Sequence, residues 1–279
     1  MHHHRVVAQR EATRSTSLAF GSLRAPLRGA CVVLVGTGST DALARGAAVM
    51  AGFDTAPEKL HGVETLQIAF ETLRAGADEL LPPGLHPTRP PVLTWLVQRV
   101  PESPWGPFAL AQCRVECRSG LRPRGFLRGG VIDNEAARDA LAARWGYGLA
   151  LGAPRLARGY DEIRASAALG GGANVLEIAL RDPMPLRNAD AYYVASVHLA
   201  NTPRGLRLVQ VDPDFDVARA ERGRPLVDTF EAEAWGCAGA RLSAPLSGSF
   251  SVADVTLPAL RYACQPDVLA FLGTERVST

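Results

Sequence analysis

Lysine is almost missing from this chain: Lys59 is the only one, and every other positive side chain among the 30 lysines and arginines is an arginine. Chemistry that needs a primary amine therefore has a single side chain to draw on. Cysteine is sparse and unpatterned. Cys31, Cys113, Cys117, Cys237 and Cys264 show no CxxC spacing, which argues against a zinc site or a disulfide scaffold. Cys113 and Cys117 share one strand face with no nearby histidine, so reduced, buried thiols in a cytoplasmic protein are expected. Long apolar runs are missing too. Cys31–Gly36 and Val175–Leu180 fall far short of a membrane span, and Met1–Ser17 lacks the apolar stretch of a signal peptide. Neither sign of charge dominates, with 30 basic residues against 28 acidic ones, which argues against nucleic acid or a membrane surface as partner. There is no HExxH, no Ser-His-Asp order and no His/Asp cluster, so neither a metal nor a cofactor is expected.

What is present is apolar residue in quantity, 47% of the chain, enough for a large core. Ala30–Ser39 reads as a strand running into glycines, with a helix over Asp41–Met50. Without a Walker lysine or a third spaced glycine, a strand and capped helix is preferred there over a phosphate loop. Short strands are then predicted at Leu66–Phe70, Pro91–Val100, Phe108–Cys117, Phe126–Ile132, Glu162–Ala168 and Asn174–Leu180. Further strands are predicted at Tyr192–Leu199, Leu206–Asp212, Ala234–Leu242 and Val252–Leu257. The clearest helix is Asn134–Trp145, capped by Asp133 or Asn134, and the tail from Pro258 reads as helical at best. Many strands with few helices imply a β-rich barrel or sandwich around a cavity.

Several segments stand in the order of one known family. Ile132-Asp-Asn-Glu-Ala-Ala-Arg-Asp139, followed by Trp145-Gly-Tyr-Gly-Leu-Ala-Leu-Gly-Ala-Pro-Arg-Leu156, resembles the acetoacetate decarboxylase family. Leu80-Leu-Pro-Pro-Gly-Leu85, Thr202-Pro-Arg204, Trp235-Gly236 with Arg241-Leu242, and Ala253-Asp-Val-Thr-Leu-Pro258 add collinear matches. The similarity spans roughly residues 60–265. It implies a mainly β (α+β) fold: a closed antiparallel β-barrel with a central cavity and peripheral helices, assembled as a homo-oligomer. On this reading residues 1–26 form a flexible arm, 27–59 an extension packed on the barrel, and 60–279 the barrel domain.

The resemblance breaks where the family does its chemistry. Its Schiff-base lysine pair falls on Leu149 and Ala150, its two catalytic glutamates on Leu96 and Leu110, and its upstream arginine near Val63. A cavity that has lost its nucleophile is expected to shed other buried charges, which are costly without partners. The expected site is thus an apolar pocket lined by Val63, Trp95, Leu96, Leu110 and Leu149, with Tyr147, Gln98 and Glu177 as candidate catalytic groups. Glu177 reads either as a buried acid or as half of a salt bridge with Arg181 or Arg241, and His198 as a satisfied structural residue. The implied activity is lysine-independent cyclisation, cycloaddition, isomerisation or dehydration of a hydrophobic, polyketide-type metabolite. The alternatives are a non-catalytic binder of hydrophobic small molecules and a Schiff-base decarboxylase using Lys59.

Overall fold

The computed structural model describes residues 34–73 and 76–277. The arm expected over 1–26 and the Ala30–Val33 part of the first predicted strand lie outside the described residues. The helices are α1 (Thr40–Leu43), α2 (Glu135–Trp145) and α3 (Ala270–Gly273). Strands β1 (Ala48–Val49), β2 (Glu58–Thr72), β3 (His86–Pro87), β4 (Val92–Val100), β5 (Phe108–Ser119) and β6 (Arg122–Ile132) precede or flank α2. After it come β7 (Ala150–Leu151), β8 (Arg155–Arg158), β9 (Glu162–Ala168), β10 (Asn174–Leu186) and β11 (Ser196–Thr202). The series ends with β12 (Gly205–Val211), β13 (Asp214–Phe230), β14 (Leu242–Leu257), β15 (Tyr262–Cys264) and β16 (Thr274–Arg276).

These strands form one sheet ordered β16-β15-β12-β11-β6-β5-β4-β2-β14-β13-β10-β9-β8, with β1, β3 and β7 attached to β11, β5 and β6. No ladder joins the β8 and β16 ends among the described residues, so the expected closed barrel is corrected to an open, curled sheet. The curl brings β8 back over β4 and β5, and a lone bridge between Gly152 and Leu169 ties the two arms. The ends are short: β8 has four residues, with arginine at each end, and β16 has three. Brief, charged edges are poor templates for further pairing, which is why the sheet can stop without sealing.

β4 and β5 lie mid-sheet and are buried on both faces, which gives the molecule two cores. Leu93, Trp95, Val97, Ala111, Cys113, Val115 and Cys117 enter one core; Val100, Phe108 and Leu110 enter the other. α2 covers the second core. Asn134 caps it by accepting from the Ala137 N–H at 3.0 Å, and Gly146 ends it at φ +72.

Four expectations fail locally. β13 is absent from the predicted strands because Asp, Arg and Glu crowd its sequence; its charges are answered by neighbours, with Glu221 paired to both Arg158 and Arg219. The strand predicted over Ala234–Leu242 is a series of turns that buries Trp235 and Cys237. The tail holds two short strands as well as α3. Near the start, Gly36 and Gly38 have N–H groups already donated to the Leu85 and Leu81 carbonyls. A Cβ at Gly36 would stand 2.3 Å from the Leu81 carbonyl oxygen, so these glycines serve a close backbone approach, not a phosphate. The helix there is a single turn, Thr40–Leu43, instead of the expected Asp41–Met50. No helix among the described residues is long and apolar enough to cross a membrane.

Candidate active site

Alternation along the paired strands β4 and β5 puts one residue in two on a shared inner face. Gln98 lies opposite Leu110, Leu96 opposite Gln112, and Thr94 opposite Arg114. Across this face is a chamber of about 30 Å³, lined by Leu96, Gln98, Leu110, Gln112, Arg114 and Tyr147 and closed by residues such as Leu60, Phe108, Phe215 and Val255. That is room for a small head group, about the space of two waters.

The chamber brings together part of the residue set expected from sequence. Leu96, Leu110, Gln98 and Tyr147 meet in it, and the Gln98 amide donates to Thr65 Oγ1 at 3.1 Å. Tyr147 owes its place to Gly146, whose left-handed backbone ends α2 and turns the next side chain inward. Four other predicted site residues need correction. Trp95 sits on the opposite face of β4, packed edge-on against Phe70 and Phe230 in the first core. Val63 is fully buried in the second core without lining the chamber. Leu149 does not line it either: the side chain packs over Gly130, where a Cβ would lie 2.3 Å from its Cδ2. Glu177 is on distant β10, where it accepts from Asn174 at 2.7 Å and Thr229 at 3.0 Å. Those hydrogen bonds hold its pKa below the ordinary glutamate value, the opposite of a raised, buried acid. Nor is its partner Arg181 or Arg241: Arg181 pairs with Glu162 at 2.8 Å.

Lys59 does not line the chamber, although its neighbour Leu60 does. It is half exposed on β2 and pairs with Asp254 at 2.9 Å. The hydrogen bond and charge of Asp254 raise its pKa, which keeps the amine protonated and non-nucleophilic.

The expectation that the cavity had shed its charges is overturned by Arg114. Arg114 is 5% exposed as a residue, and its guanidinium makes no ion pair among the described residues. Nε and Nη2 donate to Gln112 Oε1 at 2.9 and 2.6 Å, and Nη1 donates to the Val194 carbonyl at 3.2 Å. Three of the five N–H donors of an arginine are thus used, and two remain. Burial lowers the Arg114 pKa. Room for its stem comes from β6, where a Cβ at Gly125 would stand 2.9 Å from Arg114 Cδ. The β5–β6 register also skips Arg128 between the Cys113 and Arg114 pairs, a bulge that bends β6 beside Arg114.

Behind Tyr147 lies a second polar layer. The ring of His198, on β11, is 3.9 Å from that of Tyr147 between centroids. His198 Nδ1 is 2.9 Å from the Trp145 carbonyl and must donate to it, leaving Nε2 as an acceptor. Nε2 has no partner, so the expectation of a satisfied histidine is only half met. Burial, with a smaller push from the Arg114 charge, drives the His198 pKa down to about 3, and the ring is neutral. Ser196 Oγ approaches the Tyr147 hydroxyl without forming a hydrogen bond of good geometry. Burial raises the Tyr147 pKa, so it too stays protonated, a donor.

Gln112, Arg114, Ser196 and His198 were not among the predicted site residues. The available signal was the strand 108–117 itself: positions 112, 114 and 116 are polar while 109, 111, 113, 115 and 117 are small or apolar. Among the described residues no group of histidine, cysteine and carboxylate side chains could hold a metal ion.

Comparison with known proteins agrees with this architecture. The family model of acetoacetate decarboxylase matches residues 46–260. No curated protein matches the chain. Among solved structures, the acetoacetate decarboxylase of Legionella pneumophila superposes with a TM-score of 0.61 at 19% identity, covering 74% of this chain and 86% of that one. The enduracididine biosynthesis enzyme MppR, complexed with pyruvate, gives 0.60 at 16% identity, covering 74% and 90%. An acetoacetate decarboxylase-like enzyme from Sphingomonas wittichii RW1 gives 0.59 at 18% identity, covering 81% and 95%.

Proposed function

The chain belongs to the acetoacetate decarboxylase family, and from that premise we propose an enzyme whose cavity works without a covalent lysine. The observation that carries this reading is Arg114, a buried cation with two unused donors facing an apolar chamber beside Tyr147, while the only lysine lies at the surface. An unpaired buried charge costs several kcal/mol. A ligand oxygen carrying negative charge, a carboxylate or an enolate, offsets that cost and accepts the two free N–H groups. Tyr147 supplies a further donor at the same end. The rest of the lining, Leu60, Leu96, Leu110 and Val255, excludes water and strengthens those hydrogen bonds.

The substrate is then a small molecule with an oxyanion-forming head, and the reaction proceeds by stabilising that oxyanion. Ring closure governed by shape alone needs a chamber that holds the whole reacting chain. A chamber of about 30 Å³ takes the head only, so isomerisation or dehydration next to a carbonyl is better supported than cycloaddition of a polyketide-type chain.

Deuterium exchange tests this directly. The protein is incubated in D₂O with a panel of keto, β-hydroxy and unsaturated carboxylic acids, and exchange next to the carbonyl is followed by NMR and mass spectrometry. Exchange or conversion should be catalysed, should persist in Lys59→Arg, and should fall about 10²–10³-fold in Arg114→Met. A borohydride-trapped adduct on Lys59, or loss of activity in Lys59→Arg, would overturn the reading. Stoichiometric retention without exchange would identify a binder instead.

A further inference from the structure

The floor of the chamber does not stop at Arg114. On β5 the inner row runs Leu110, Gln112, Arg114, Glu116, each step covering about 7 Å. Leu110, Gln112 and Arg114 line the chamber; Glu116, with Thr94 of β4, lines an outer cleft of about 420 Å³. Val194 lines both spaces, and its carbonyl accepts from Arg114. Chamber and cleft therefore adjoin along this row, with Val194 of the 187–195 segment between them. That segment is held by a Tyr193–Ser251 hydrogen bond of 2.5 Å and by stacking of Tyr193 on Phe215.

Glu116 is the acid of this row. It is half-buried, lies with Thr94 in the lining of the cleft, and forms no ion pair among the described residues. Burial raises its pKa, with Thr94 and the Arg114 charge only partly opposing. The other charges of the cleft stand at its rim: Arg222 is exposed, and exposed Asp190 is paired with Arg187 at 2.7 Å. Tyr192 and Leu246, both half exposed or more, supply an aromatic and an apolar wall.

We propose that the outer cleft is the second half of the substrate site and takes a cationic group, so that the substrate is a carboxylic acid bearing a protonated amine or guanidinium roughly 7 Å from its carboxylate. The carboxylate lies on Arg114 and the cation on Glu116, against the Tyr192 ring. This rests on the oxyanion reading of Arg114. A buried cation and a half-buried acid, neither in an ion pair among the described residues, are satisfied together by one zwitterionic ligand. A purely apolar acid would bury Glu116 against hydrocarbon and leave its carboxyl without water or a counter-ion.

Calorimetric titration of the full chain with pentanoate, 5-aminopentanoate and 6-aminohexanoate separates the parts. The amino acids should bind at least about tenfold more tightly than pentanoate, the value of one charge-assisted contact. Glu116→Gln, nearly isosteric, should erase that preference and leave pentanoate binding intact, while Arg114→Met should weaken all three acids. Equal binding of pentanoate and the amino acids, or a preference that survives in Glu116→Gln, overturns the cationic subsite and leaves the Arg114 reading standing. Acids that bind wild type and Arg114→Met alike remove the Arg114 reading, and the subsite with it. Circular dichroism confirms that each variant is folded.

Discussion

The two faces of β5 carry different instructions. Ala111, Cys113, Val115 and Cys117 pack into a core of apolar side chains with Trp95 and Phe126, in which Cys113 meets the Cys237 thiol at 3.8 Å. One residue out of step, Gln112, Arg114 and Glu116 place an amide, a cation and an acid along one row. Both faces are buried, so burial alone does not separate them. The difference is in what each face would gain from simplification: one face is already apolar, and the other holds charges that apolar residues would replace at little or no loss of stability. On the proposed function, that cost is kept for a ligand.

The sharpest contrast comes from truncating the apolar face. Trp95→Ala should lower unfolding free energy by about 3–5 kcal/mol in chemical denaturation, with carboxylate affinity of the folded fraction unchanged. A loss of affinity at constant stability would show that the two faces are not separable. Next in size is the acid response of the layer behind Tyr147. The folded pKa of His198 is depressed to about 3, so the unfolded state binds the extra proton. Stability should therefore fall as pH drops from about 6.5 towards 3, and His198→Gln should flatten that slope in denaturation curves at successive pH values.

Arg114→Met should go the other way, leaving stability unchanged or raised by about 1 kcal/mol, because removal of a lone buried charge outweighs the acceptors left on Gln112 and Val194. Thermal and urea unfolding measure this, and a clear destabilisation would place Arg114 among structural residues. The smallest effect belongs to Gly125→Ala. Its new methyl would crowd the Arg114 stem, and the expected cost is about 1 kcal/mol with a severalfold loss of carboxylate affinity by titration.

Much of this arrangement was legible from sequence, and the exceptions have physical causes. β4, β5, β6, β9 and α2 stand within a few residues of their predicted ends because alternation, a cap and glycines mark them. β13 was invisible because its outward positions are charged and its support comes from partners such as Arg158, far away in sequence. Gln98, Leu96, Leu110 and Tyr147 were legible because a two-residue period fixes the face once one member is placed. Arg114 and Glu116 escaped notice for a different reason. In a chain this rich in arginine a single functional one has no compositional mark, and the lost lysine pair suggested that other charges had gone too.

Lys59 offers a last consequence. It is the only side-chain amine and it is half exposed on β2, in contact with Asp254, on the face of the strand away from the chamber that Leu60 helps to close. Amine-directed reagents will place a fluorophore, a tether or a pair of ¹³C methyl groups at one known side chain, the chain's own terminus apart. Such a tag can report occupancy and tumbling while the ligand path stays unobstructed, a convenience that most enzymes acquire only after extensive mutagenesis.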